Sequence, residues 1–267
     1  MEISELAAEV LRSKKHAGID IAVVERICAE ESKKYPKKKE AVKAAKNTLH
    51  IIHESFLPNE CHREALVFLR QLPPGADPEQ KRAVGLRLMG LHASTRERLA
   101  DIHEISAFIS QYITCESSVM DIGCGFSPFA LPLLREAPKS YIAYDINTET
   151  IDLLNQYFSL LELPAYRAAL LDAAIKTPDA PVDIALLFKL LPLLQQQKKE
   201  RGFELLSELD FKLAIVSFPL RSLGGKQKGM ESFYSSLMEG RLPENLAIAD
   251  KVSFPNEMFY VIKKTIP

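Results

Sequence analysis

The four cysteines (Cys28, Cys61, Cys115, Cys124) include no CxxC pair. Their wide, irregular spacing argues against a disulfide framework and fits reduced thiols. No apolar run approaches the roughly 20 residues that a membrane span needs. The opening stretch MEISELAAEV carries acids where a secretory signal carries bases, so the expectation is a cytoplasmic protein with no membrane contact. A formal net charge of -1 gives no global field, and a polyanionic partner would have to be met by local patches. Internal repeats and low-complexity tails are absent. The glycine motifs of the common nucleotide folds are also incomplete: no GK[ST] follows a glycine loop, and the third glycine of GxGxxG is replaced by Pro128.

With 267 residues, 47% of them apolar, the chain can bury one large core or a core with a smaller satellite. Up to about Tyr112 the pattern is helical. Val42, Ala45, Leu49, Ile52 and Phe56 recur at steps of three and four, one face of a helix, and Lys39, Lys43 and Lys46 form a basic stripe on a neighbouring face. The stretch QLPPGADPEQ reads as a loop, and GLHASTRERLADIHEISAFISQYI as a further helical region. After Ser117 short apolar runs alternate with helical stretches: SVMDIG, SYIAYDIN, PVDIALLFKL, FKLAIVSFP and EMFYVIKK. That alternation predicts an α/β fold with a mostly parallel sheet. The expected organisation is a helical domain over residues 1–100 and an α/β domain over 101–267.

The stretch SSVMDIGCGFSPFALPLL, 117–134, reads as a buried strand, a glycine turn and a helix. Gly123 and Gly125 allow a ligand to approach the backbone, and Asp121 is placed to accept from an ammonium or a loop amide. Asp145 ends the next strand, where a carboxylate can accept both hydroxyls of a ribose. Asp172 follows a third strand, AYRAALLD, within reach of an adenine amine. Acids at successive strand ends obey the binding rule for open sheets, and together they resemble the S-adenosylmethionine site of a class I, Rossmann-like methyltransferase. The fourth strand ends LFKLLP, without the [DN]PP[YFW] box of exocyclic-amine methyltransferases, and Cys124 lies inside the loop, where packing explains it better than nucleophilic attack.

Four runs, HASTRERL (92–99), DIGCGFSPFAL (121–131), ALLFKLLPLLQQQ (185–197) and SFPLRSLGGKQKGM (217–230), resemble the aminoglycoside-resistance methyltransferases of the Arm/Rmt/Sgm group. Leu190 and Leu220 stand where that group's runs carry threonine. The resemblance implies methyl transfer from S-adenosylmethionine to N7 of a decoding-site guanine of 16S rRNA, within the assembled small ribosomal subunit, by a monomer with an RNA-docking helical domain. It also implies that His92, Ala93, Ser94 and Arg98 belong to the donor pocket, with Arg98 aimed at the methionine carboxylate. Gly123 would line the pocket, Asp145 hold the ribose, Asp172 and Ala173 border the adenine, and Phe188 and Gln197 close over the donor. Phe56 would come from the helical domain. Lys189 and Arg221 would face the target nucleotide, with Lys226 and Lys228 on phosphates. The alternatives are another rRNA position, such as an adenine N1, and a non-catalytic ribosome-binding factor with a vestigial cofactor fold.

From Arg12 to Lys46 eleven lysines and arginines stand against five acids, the electrostatic footprint of an RNA-binding face. His50, His53, Cys61 and His62 match no zinc-finger spacing. They read as ordinary helix-surface residues, and no metal is expected.

Overall fold

The computed structural model describes residues 2–16, 18–54, 57, 61–221 and 229–265. The chain begins with three helices, α1 (Ile3–Leu11), α2 (Ile21–Lys34) and α3 (Lys38–Leu49), the last running into a π-turn at His50–Glu54. Their apolar stripes close on one another: Leu6, Val10, Val24, Ile27, Ala45 and Leu49 are fully buried in one small core. The stripe predicted over Val42 to Ile52 supplies its α3 side, while Phe56 lies outside the described residues.

The next helices are α4 (Cys61–Leu69), α5 (Pro78–Met89), α6 (Ala93–Arg96) and α7 (Ile102–Ile109). The expected loop is present over 71–77, but its end and the helical region after it differ from the sequence reading. The stretch read as a loop holds a helix start: Asp77 accepts from Gln80 N at 2.8 Å while the Gln80 side chain accepts from Asp77 N at 3.0 Å, a capping box with Pro78 in the first turn. The long helical reading of 90–113 is instead broken into α6, a 3₁₀ turn at Leu99–Asp101 and α7. Residues 61–109 pack on the same core as the sheet. The hydrophobic cores therefore separate between Ile52 and Cys61, well before residue 100.

Seven strands follow: β1 (Ser118–Ile122), β2 (Ser140–Asp145), β3 (Tyr166–Leu170), β4 (Val182–Phe188), β5 (Phe211–Pro219), β6 (Leu246–Ser253) and β7 (Glu257–Lys264). Their order is β3-β2-β1-β4-β5-β7-β6. The first five are parallel, and β7 inserts antiparallel between β5 and β6. Side chains alternate between two layers as a strand requires. Val119, Tyr141, Ile184 and Leu186 face α4, α5, α7 and a helix α8 (Thr148–Leu160). Met120, Ile122, Ala185 and Val216 face α9 (Leu190–Gln197), α10 (Arg201–Glu208) and α11 (Met230–Arg241). The strand direction of sequence order reverses between β1 and β4, which opens a crevice at their carboxyl ends.

The helix expected after the glycine loop is a 3₁₀ segment, Ser127–Leu133, because Pro132 in its interior lacks the amide donor that an α-helix would need there. It lies against α5 so closely that a Cβ on Gly85 would sit 2.3 Å from the Phe129 carbonyl oxygen. Gly85→Ala gains about 1 kcal/mol of helix propensity, but the backbone clash outweighs it. A net loss of about 1–3 kcal/mol is expected from urea unfolding.

Candidate active site

The crevice is a pocket of about 930 Å³, part of it open to solvent, at the carboxyl ends of β1, β2, β3 and β4. Its floor is the glycine loop. Gly123 and Gly125 adopt φ of 65° and 48°, a region costly for residues with a Cβ. Space is tight there too: a Cβ on Gly123 would lie 2.8 Å from the Leu190 side chain, and one on Gly125 3.1 Å from the His92 ring, so either neighbour would have to shift. The Leu190 side chain covers the loop at Gly123.

Asp145 organises the loop. Its carboxylate accepts from Gly125 N at 2.9 Å and from Asn147 N at 3.1 Å. Burial raises its pKa, and these amides draw it part of the way back. Asp121, expected to serve the loop, points elsewhere. It shares a sheet face with Val119, is fully buried, and accepts from the Tyr141 hydroxyl at 2.7 Å. Burial pushes it up to about 7, so the loop amide falls to Asp145 alone.

The α6 connector brings His92, Ser94 and Arg98 to the pocket wall, whereas Ala93 does not line it. Arg98, 4% exposed, donates to Glu257 through Nε at 2.7 Å and Nη2 at 2.8 Å, and to Ser127 through Nη1 at 2.8 Å. Its guanidinium also lies 4.9 Å from the centre of the Phe188 ring. Two of an arginine's five N–H groups remain for a ligand carboxylate. Lys189, expected to face a nucleotide, is 8% exposed and turned inward. Its ammonium donates to the Ser94 carbonyl at 3.2 Å and to Glu97 at 2.8 Å, and lies 3.4 Å from Glu257. Its backbone is left-handed, φ 55°, with the amide pinned by Ser217, a conformation that a non-glycine residue holds only when its surroundings impose it. Burial alone would raise the Glu257 pKa, but Arg98 and Lys189 outweigh it and hold the carboxyl below its ordinary range.

Asp172 and Ala173 border the far end of the pocket beside Gln197. Here sequence reading missed Arg26, which crosses from α2 to donate to Asp172 at 2.6 Å and to Gln197 at 2.8 Å. Glu257 was missed as well. Neither carries a local motif, since each partner lies far away along the chain. Cys124 is buried, and burial lifts its thiol well above its ordinary pKa, which removes it as a nucleophile. Among the basic candidates, Lys39 and Lys43 are exposed on α3, Lys46 is half-buried, and Arg221 is exposed beyond β5. Lys226 and Lys228 lie outside the described residues. Local acids offset part of the N-terminal excess: Lys34 pairs with Glu31, Lys37 with Glu40 and Lys38 with Glu5.

The histidines are not all surface residues. His53 is buried in the pocket wall, and neither ring nitrogen has a hydrogen-bond partner among the described residues. His62 bonds Thr150 at 2.8 Å, and the His92 ring lies 5.3 Å from that of Phe126. No group of three potential metal ligands gathers among the described residues. Burial, then the nearby His62 and His16, lower His53 to about 3. An unfolded histidine takes up its proton near 6.5, so between these values the unfolded chain binds more protons and stability falls as pH falls. Asp121 slopes the other way. His53→Leu is therefore expected to flatten the acid side, reducing the loss of unfolding free energy from pH 6.5 to 5 by up to about 1.4 kcal/mol per pH unit. Urea titrations of both proteins across that range measure it.

Residues 12–261 match the family described as ribosomal RNA methyltransferase (FmrO). A curated protein of Serratia marcescens, named 16S rRNA (guanine(1405)-N(7))-methyltransferase, is 34% identical over 264 residues, covering 99% of each chain. A protein of the same name from Micromonospora echinospora is 33% identical over 229 residues, 84% of this chain and 83% of its own. Among solved structures, the 16S rRNA methyltransferase RmtF in complex with S-adenosyl-L-homocysteine superposes with a TM-score of 0.90 at 30% identity, covering 99% of this chain and all of its own. The 16S rRNA methylase RmtB gives 0.82 at 30% identity, covering 99% of each chain. The glycine loop, the strand-end carboxylates and this full-length similarity lead to one conclusion: the chain belongs to the ribosomal RNA methyltransferase (FmrO) family.

Proposed function

We propose that this protein transfers a methyl group from S-adenosylmethionine to N7 of a decoding-site guanine of 16S rRNA, and that the modification confers aminoglycoside resistance. One observation carries the reading: the pocket at the sheet's switch point combines a side-chain-free glycine loop with Asp145 and Asp172 at successive strand ends, in a chain that matches curated guanine-N7 methyltransferases over nearly its whole length.

The residues fit such a donor. Positive-φ glycines leave room for an adenosine-bearing group against the backbone, Asp145 offers acceptors to two hydroxyls, and Asp172 offers one to an amine. When bound, S-adenosylmethionine supplies a methyl carbon made electrophilic by its sulfonium. Guanine N7 carries a lone pair and no hydrogen. The protein therefore has no proton to remove, and its work is alignment in a site of fixed charge. Arg98 keeps two donors for a carboxylate, while Lys189, paired with Glu97 and Glu257, fixes the wall where β4 ends. The buried Glu257 sets the two cations in place.

The partner is ribosomal RNA, taken up within the assembled small subunit by a monomer in the cytoplasm. Among the described residues no helix is long and apolar enough to cross a membrane. Lys39, Lys43 and Lys46, with Lys226 and Lys228, supply the phosphate contacts of this reading, and Arg221 faces the target nucleotide. The target base must leave its stack to reach the pocket. Methylated N7 gains a positive charge and loses an acceptor, so a polycationic drug packed on that edge meets repulsion as well as a lost partner.

Purified small subunits incubated with tritiated S-adenosylmethionine are expected to gain label at guanine N7, mapped by nuclease digestion; label on adenine would refute the target. Asp145→Ala should weaken donor binding by about 1.5–3 kcal/mol in calorimetry, the worth of hydrogen bonds to a charged acceptor. The double substitution of Lys226 and Lys228 by alanine should leave donor affinity unchanged. It should also lower the salt slope of subunit binding by about 1 to 2, because fewer counterions are released.

A further inference from the structure

Arg26 belongs to α2, whose apolar side is buried in the N-terminal core, yet its guanidinium leaves that core for the far end of the pocket. The Nε–H donates to Asp172 Oδ2 at 2.6 Å, Nη2 to Gln197 Oε1 at 2.8 Å, and Nη1 to Glu30 at 3.1 Å. The Arg26 and Asp172 side chains are 11% and 12% exposed, so the pair is little screened by water. Both acceptors are fixed from their other sides. Asp172 Oδ1 takes the Ala174 amide at 3.0 Å, and the Gln197 amide nitrogen donates to the Leu193 carbonyl at 3.3 Å. The start of α2 is anchored separately, by Asp20 N on the Ile146 carbonyl at 2.9 Å and by Thr148 N on the Gly18 carbonyl at 2.7 Å. Thus α2 spans the rim from the loop after β2 to the loop after β3.

We infer that Arg26 is a positioning residue for the adenosine end of the methyl donor, supplied by the N-terminal helical unit; the inference rests on the donor assignment above. Its geometry leaves each Asp172 carboxylate oxygen one further lone pair for an incoming amine. By donating to the Gln197 carbonyl while the amide nitrogen is held by Leu193, it fixes which way that amide points, so one N–H is aimed as a donor before anything binds. One planar fork therefore fixes an acceptor and a donor side by side, the pairing that an aminopurine edge presents in complement. A lysine carries the charge but lacks the rigid second arm. Because the fork comes from the helical unit, seating that unit and binding the donor are linked, each favouring the other.

The test uses the full-length protein with S-adenosylhomocysteine as calorimetric probe, comparing the parent with Arg26→Ala, Arg26→Lys and Glu30→Gln. Expected are an affinity loss of about tenfold or more for Arg26→Ala, a smaller loss for Arg26→Lys, and none for Glu30→Gln. In methyl transfer to small subunits, KM for the donor should rise in parallel while kcat at saturating donor stays within about twofold. If Arg26→Ala does not fold, Arg26→Lys decides. Parental affinity in the lysine variant, or a lowered melting temperature with unchanged affinity in either variant, would show that Arg26 merely staples the two units together and would overturn the inference. A parent protein that does not bind S-adenosylhomocysteine would instead overturn the donor assignment on which it rests.

Discussion

The site hangs on one buried carboxylate shared by two cations. Glu257 is 1% exposed and is met by Arg98 and Lys189, which come from segments 159 and 68 residues earlier in the chain. Taking three charges from water is costly, and their attraction compensates only if every partner is present; removing one from such a cluster typically costs about 3–5 kcal/mol. The arrangement is correspondingly redundant. Ser127 and the Phe188 ring hold Arg98, Ser94 and Glu97 hold Lys189, and Ser217 serves both Glu257 and the Lys189 amide. The left-handed backbone at Lys189 is maintained by this network and turns the chain from β4 into α9.

A second constraint is the absence of side chains on the pocket floor. Gly123 and Gly125 cannot be replaced without meeting Leu190 or His92. Those two residues are themselves packed, Leu190 in the core beneath α9 and His92 against Phe126. The loop is therefore shaped from above by apolar and aromatic contacts and from below by Asp145. His53 and Asp121 show what this packing tolerates: each buries polar atoms that lack a partner among the described residues, one on the pocket wall and one under the sheet.

Much of this was legible in the sequence because strands and their ends are local. Alternating apolar runs marked five of the strands, AYRAALLD marked a sixth, and Asp145 and Asp172 follow from strand ends alone. The strand Leu246–Ser253 escaped, being an edge strand whose residues are largely exposed or half-buried, so no apolar run announces it. Asp121 was misread although the signal was present: two residues after the inward-facing Val119, it had to point into the core rather than towards the loop. Pro132, five residues after Ser127, likewise announced that no regular α-helix would follow the glycines. Arg26 and Glu257 could not be read at all. Each is one charge among many in the sequence, and only the docking of α2 and the antiparallel insertion of β7 give them partners.

That insertion orders events in time. Because β7 runs against its neighbour β5, its first residue lies at the carboxyl end of the sheet, so Glu257 reaches the pocket from a strand synthesised after all five parallel ones. During translation Arg98 and Lys189 are made long before the carboxylate that reconciles them, and until it arrives two cations converge without their shared counter-charge. The helices and the five parallel strands have all their residues by then. The last of the seven strands converts that scaffold into a charge-balanced pocket, because its first residue brings the carboxylate that both cations share.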